Sequence, residues 1–68
     1  MTLLEILDQL DGVKLRANDG RLWDVENLMD AIVDNEESEY EECIIGRRGI
    51  FKVGDDGFID YPAIYTFE

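Results

Sequence analysis

Leu3, Ile6, Leu7 and Leu10 recur at three- and four-residue spacing, with Leu4 beside them and Glu5, Asp8 and Asp11 on the other side. That period places the apolar set on one face of a helix. Thr2 followed three residues later by Glu5 is the pattern of a capping box, in which each side chain answers a backbone N–H of the first turn. Gly12 is a natural stop, so the spacing predicts a helix over residues 3–11. A second stripe, Val25, Leu28, Met29, Ile32 and Val33, follows Asp24, a residue suited to an N-cap. Glu26 falls in the first turn, where the helix dipole favours an acid. These features predict a helix from about 25 to 34.

Residues 13–23 admit two readings. Val13-Lys14-Leu15-Arg16 alternates as a strand does, Asn18-Asp19-Gly20 is a turn signal, and Arg21-Leu22-Trp23 could return as a second strand. A structured loop between the helices fits equally well. Residues 34–39, Asp-Asn-Glu-Glu-Ser-Glu, form a polar acidic linker. From Tyr40 the character of the chain changes to β. Cys43-Ile44-Ile45, the turn Gly46-Arg47-Arg48-Gly49, and Ile50-Phe51-Lys52-Val53 form a hairpin pattern. Gly54-Asp55-Asp56-Gly57 is a further turn, followed by extended pieces at 58–60 and 63–67, with Pro62 marking an edge, bulge or bend. The expected fold class is α+β. Short N-terminal helices (about 1–35) pack on a C-terminal antiparallel sheet of three or four strands (about 40–68), within one domain over 1–68.

A chain of 68 residues buries only about 60% of the surface its unfolded form exposes, so its stability margin is small. Cys43 is its one cysteine and it has no His, so neither an internal disulfide nor an ordinary zinc site supports the fold. Ordinary apolar packing must do so. Hydrophobic residues make up 46% of the chain, too many for intrinsic disorder despite the charge. No apolar run reaches the ~20 residues of a membrane span, and the N-terminus lacks a basic signal-peptide region, which predicts a cytoplasmic protein.

Charge changes this picture most. The formal net charge is −11. From Leu22 to Gly46 there are carboxylates at Asp24, Glu26, Asp30, Asp34, Glu36, Glu37, Glu39, Glu41 and Glu42, and no Lys or Arg. The bases cluster elsewhere, at Lys14, Arg16 and Arg21 and at Arg47, Arg48 and Lys52. Solubility of a small domain needs a net charge of only about 2–8. A field this negative repels nucleic acid and anionic membrane and attracts basic partners. Glu26, Asp30 and Asp34 follow i, i+4, i+8, which sets them about 6 Å apart along a helix. Glu37, Glu39 and Glu41 alternate, at ~6.6–6.8 Å spacing if extended. Two phosphate steps of duplex DNA advance ~6.8 Å along the axis. The row therefore has the charge spacing of a nucleic-acid backbone, and Arg forks pair with carboxylates as they do with phosphates. A solvated acidic face is the plain alternative.

Catalytic chemistry has little to stand on. His, the commonest general base, is absent, and Cys43 beside two Ile residues has the setting of an inert buried thiol. Asp55-Asp56-Gly57 lacks calcium-loop spacing, because Lys52 falls where the first acid should be. Glu41 and Glu42 could hold a divalent cation only weakly, so neither metal nor cofactor is expected. Trp23 fits core packing at the start of the second helix. Tyr61 and Tyr65, beside Pro62, are half-core and half-surface and remain possible interface groups.

The run Thr2-Leu3-Leu4-Glu5-Ile6-Leu7, the segment Asp30-Ala31-Ile32-Val33, and the β half from Glu41-Glu42-Cys43-Ile44-Ile45 to Tyr65-Thr66-Phe67 together resemble a phage-encoded anti-CRISPR protein. The narrower likeness is to those directed against the type I-C system. The likeness lies in the gross plan of the whole chain and in its charge, since these proteins share no motif. It implies a monomeric, non-enzymatic inhibitor acting in the bacterial cytoplasm. Such an inhibitor occupies the DNA-binding surface of the surveillance complex, on the large subunit that reads the PAM, and such effectors hold nucleic acid in positively charged channels. Glu26, Asp30, Asp34, Glu36, Glu37, Glu39, Glu41 and Glu42 are then the candidate partner-binding residues. The alternative is an acidic interaction module, such as an antitoxin or phage regulator, binding through a sheet edge and Tyr61, Tyr65 and Phe67.

Overall fold

A computed structural model describes residues 1–68. In chain order the elements are α1 (Leu3–Gln9), β1 (Lys14–Ala17), β2 (Leu22–Asp24), α2 (Val25–Val33), β3 (Cys43–Ile45), β4 (Gly49–Lys52) and β5 (Tyr65–Phe67). The fold is α+β, but the sheet has five strands, in the order β2-β1-β5-β4-β3, and every pairing is antiparallel. Residues 13–23 resolve as a hairpin. The Ala17 N–H donates to the Arg21 carbonyl (2.8 Å) and the Gly20 N–H to the Ala17 carbonyl (2.9 Å). The division into a helical half and a β half therefore does not hold. The last strand, β5, inserts between β1 from the first half and β4 from the second.

Both helices lie on one face of this sheet. They pack on each other, α1 against β3 and α2 against β2. Alternation along the strands points Leu15, Trp23, Cys43, Ile50 and Tyr65 inward, where they meet Leu3, Ile6, Leu7, Leu28, Ala31 and Ile32 in one core. The opposite alternates, Lys14, Arg16, Leu22, Ile44 and Thr66, are exposed on a face that no helix covers. At Gly49 a Cβ would collide with the Tyr65 carbonyl oxygen, so only glycine lets β4 approach β5 this closely.

The helix ends show which local signals prevailed. The capping box of α1 is complete: the Glu5 N–H donates to Thr2 Oγ1 (3.1 Å) and the Thr2 N–H to Glu5 Oε1 (2.9 Å). The helix stops at Gln9 rather than residue 11, because Leu10 is already extended. Gly12, at φ 69°, instead turns the chain towards β1. Asp24 is the N-cap of α2 by position, yet its side chain makes no cap hydrogen bond. It faces Lys14 across the β1–β2 pair, with Oδ1 3.8 Å from Nζ.

Along α2 the buried set is Val25, Leu28, Ala31 and Ile32, with Met29 half-buried. Val33, expected on the core side, is 68% exposed. At about 100° per residue it lies well round the helix from the centre of that stripe, and Ala31 lies within it. The C-terminus of α2 closes in a Schellman turn. Asn35, at φ 63°, donates its N–H to the Ile32 carbonyl (3.1 Å), and the Glu36 N–H donates to the Ala31 carbonyl (2.8 Å).

In the second half, 58–60 forms only an isolated bridge, Val53 to Ile59, rather than a strand. The Asp60 N–H donates to the Lys52 carbonyl and the Ile64 N–H to the Ile50 carbonyl, so residues 61–63 oppose Phe51 alone. This is a bulge, consistent with the expectation for Pro62, and it lays the Tyr61 ring edge-on to Phe51 at 5.3 Å.

Candidate partner-binding face

The row Glu26, Asp30 and Asp34 forms as its spacing requires. All three are exposed on the side of α2 opposite its buried stripe. Glu26 is in the first turn, where the dipole welcomes it. Asp30 and Asp34 are at the other end, where the dipole is negative and no base lies in the last turn. The Schellman turn then brings Glu36 and Glu37 back onto the same helix end, and the Glu37 N–H also donates to the Ala31 carbonyl (3.2 Å). Asp34, Glu36 and Glu37 thus follow one another around a helix terminus that a base would stabilise.

Beyond this point the extended row at Glu37, Glu39 and Glu41 does not form. Glu37 is half-buried and close enough to Tyr65 to raise its pKa, while Glu39 and Glu41 are exposed. The segment is pinned by tertiary hydrogen bonds instead of running straight. The Leu3 N–H donates to the Tyr40 carbonyl (2.8 Å) and the Cys43 N–H to the Met1 carbonyl (2.7 Å). Glu39, Glu41 and Glu42 line an open cleft of about 520 Å³ with Tyr40, Lys52 and Asp55. Glu42 Oε2 lies 3.8 Å from the Met1 amine. The predicted residues therefore fall into two groups, one along α2 and its C-terminus and one beside the β3–β4 pair.

A second open cleft, of about 550 Å³, extends the first group. It runs between the end of α1 and the start of α2 and brings Asp8 and Asp11 to the same cavity as Asp24 and Glu26, with Lys14, the ion-pair partner of Asp24, as the one base in its lining. Sequence reasoning placed Asp8 and Asp11 only on the polar side of α1. Their meeting with α2 depends on how the two helices pack, and nothing local signals it.

Counter-charges are few. The molecule has three ion pairs: Met1 amine–Glu42, Lys14–Asp24 and Arg16–Glu68, the last at 2.8 Å. Glu26, Asp30, Asp34, Glu36, Glu37, Glu39 and Glu41 take part in none of them. Lys14 and Arg16 project from the uncovered face of β1, while Arg47 and Arg48 lie in the β3–β4 turn. The Arg21 guanidinium lies 4.1 Å from the centre of the Trp23 ring, and the indole N–H beneath is buried without a partner. The bases thus belong to the sheet, and the uncompensated acids gather on the helices and the linker, with Asp19, Asp55, Asp56 and Asp60 in the connections between strands.

Two groups considered for chemistry or binding are withdrawn from the surface. Cys43 is fully buried. Desolvation pushes its thiol pKa up, and Sγ donates to the Tyr40 carbonyl at 3.7 Å. Tyr65 is in the core on the central strand β5, so it is no interface group, and Phe67 is half-buried on the same inner face. Of the aromatics proposed for binding, Tyr61 is the one at the surface, 76% exposed. No three Asp, Glu or Cys side chains converge in a metal-binding arrangement, and no helix is long and apolar enough to cross a membrane. Comparison of the chain with protein-family models, curated proteins and solved structures finds no match.

Proposed function

We propose that this chain is a non-enzymatic inhibitor whose acidic helix layer mimics nucleic acid and blocks DNA binding by a type I-C CRISPR surveillance complex. The observation that carries the reading is the C-terminal end of α2. Asp30 and Asp34 stand against the helix dipole there, followed by Glu36 and Glu37, with no base to offset them. A small domain that breaks a local stability rule in this way does so where function requires it. Its partner is a basic nucleic-acid-binding surface, that of the large subunit, met in the cytoplasm of the bacterial host. Glu26, Asp30 and Asp34 form the first contact row, Glu36 and Glu37 continue it, and Glu39, Glu41 and Glu42 form the second group. The inhibitor requires no cofactor and carries out no covalent step. Association is steered by charge and weakens as salt rises.

The test is displacement of target DNA from the purified surveillance complex over a salt series. Glu26→Lys/Asp30→Lys/Asp34→Lys is the informative variant, because all three side chains are exposed and the core behind them is untouched. It is expected to weaken inhibition by about 10–100-fold while the chain stays folded. Full inhibition by this variant contradicts the proposal. A second reading, an interaction module such as an antitoxin or phage regulator acting through the sheet, is favoured by the exposed Tyr61. Under it, Tyr61→Ala abolishes partner binding and the acid reversals do not.

A further inference from the structure

The uncovered face of the sheet carries an apolar strip at its β3–β4 end. Ile44 and Phe51 are paired in register, Val53 is bridged to Ile59, and Tyr61 lies edge-on to Phe51. Ile44, Ile59 and Tyr61 are 37%, 38% and 76% exposed. Apolar residues scattered singly on a surface need no explanation, but these adjoin one another on two paired strands and their bulge.

The ends of the strip carry opposite charge. Arg47 and Arg48, exposed and in no ion pair, occupy the β3–β4 turn. Asp55 and Asp56, exposed, occupy the turn at the far end of β4. The strand between them is about 14 Å long. A basic end, an apolar middle and an acidic end form a pattern that is complementary to itself under a two-fold axis. A second copy laid antiparallel sets Arg47 and Arg48 over Asp55 and Asp56 in both directions and apolar centre on apolar centre. A strongly basic or strongly acidic partner would match one end of the strip and oppose the other.

We infer that the outer face of β3–β4 is a docking surface for a second copy of this chain, paired antiparallel about Phe51 and Tyr61. The net charge of −11 does not forbid this. Glu26, Asp30, Asp34 and Glu36 lie on the helix layer, on the far side of the sheet, and Glu39 and Glu41 line the cleft they share with Lys52, which register places on the inner face opposite Phe51, so pairing on the outer face points both acidic groups away from the seam. The two layers are then separated by more than the ~8 Å screening length of physiological salt. The resemblance to type I-C inhibitors implies a monomer, and a pair with two outward acidic faces is the departure the open sheet face calls for. The pairing does not depend on which target the acidic layer engages.

Sedimentation equilibrium of the full chain, from micromolar to millimolar at about 0.15 M salt, tests it. The expected mass rises from 7.8 kDa towards twice that value with concentration. Tyr61→Ser, at a largely exposed side chain, should weaken association about tenfold or more. Arg47→Asp/Arg48→Asp and Asp55→Arg/Asp56→Arg should each lose self-association, because each makes both ends alike in sign. Mixing those two variants should restore a pair. A mass that stays at 7.8 kDa throughout overturns the inference, as does association indifferent to Tyr61→Ser or a mixture that fails to pair. A chain that stays single while Tyr61→Ser weakens binding to another protein assigns the strip to a different partner and equally overturns it.

Discussion

The helix layer and the outer face of the sheet are built from one short chain and carry different surfaces. On the sheet, Lys14 meets Asp24 and Arg16 meets Glu68, and the unpaired Arg47 and Arg48 are matched in number by Asp55 and Asp56, so acids and bases are mixed there around apolar and aromatic groups. On the helix layer, Glu26, Asp30 and Asp34 have no partner, and α2 ends among acids instead of the bases its dipole favours. Balanced charge costs a fold little, whereas an unbalanced row works against it. The contrast locates the part of the surface that stability alone does not explain.

The strongest way to break the contrast is to unseat α2. Leu28 is fully buried beneath the acid row, and Leu28→Ala should cost about 2–5 kcal/mol in urea unfolding. In a domain this small that is a large share of the total, so the acidic layer and the inhibition proposed for it should fail together. Gly49→Ala attacks the other surface. The added methyl drives β4 from the Tyr65 carbonyl, and a loss of about 1–3 kcal/mol is expected. If Gly49→Ala is neutral in thermal melts, the tight β4–β5 approach behind the aromatic strip is wrong.

A finer comparison sets the two caps side by side. Thr2 holds a complete capping box, whereas Asp24 makes no cap hydrogen bond and faces Lys14. Thr2→Ala should cost about 1 kcal/mol, or roughly 4–8 °C in melting temperature. Asp24→Ala should cost less, since an exposed ion pair contributes about 0–1 kcal/mol. Equal losses would mean that Asp24 caps α2 after all.

The smallest effect at neutral pH concerns Tyr65, in the core between the layers. Burial first, and then the negative field of Glu37, push its phenol from the ordinary 10.0 up to about 12. The folded state thus favours the neutral form. That contribution is complete below pH 10 and is lost as pH rises towards 12. Alkaline unfolding should steepen in this window, and Tyr65→Phe should flatten it.

What was legible in the sequence was local. The Thr2–Glu5 box, the acid row at i, i+4 and i+8, and the two Gly-flanked turns each depend on residues a few positions apart. The insertion of β5 between β1 and β4 joins Ala17 to Tyr65 and Gly49 to Thr66, pairings no local pattern encodes. The same holds for Asp8 and Asp11 meeting Glu26 across a cleft. Asn35 did carry a signal, since Asn tolerates the left-handed conformation at a helix end, and it marks where the linker folds back. Val33 was misassigned because a five-residue stripe is wider than the core that receives it. Its exposure beside Asp30 and Asp34 adds an apolar group to the acidic face.

The central claim is that the carboxylates at the C-terminal end of α2 are uncompensated, and thermal unfolding of the native chain against Asp30→Asn/Asp34→Asn/Glu36→Gln measures this most directly. At about 0.01 M salt the screening length is ~30 Å and at 1 M about 3 Å. The neutralised chain should melt higher than the native one at low salt, and the gap should close at high salt. A neutralised chain that melts at the same temperature or lower in dilute salt would contradict the account, because the acids would then be offset within the fold.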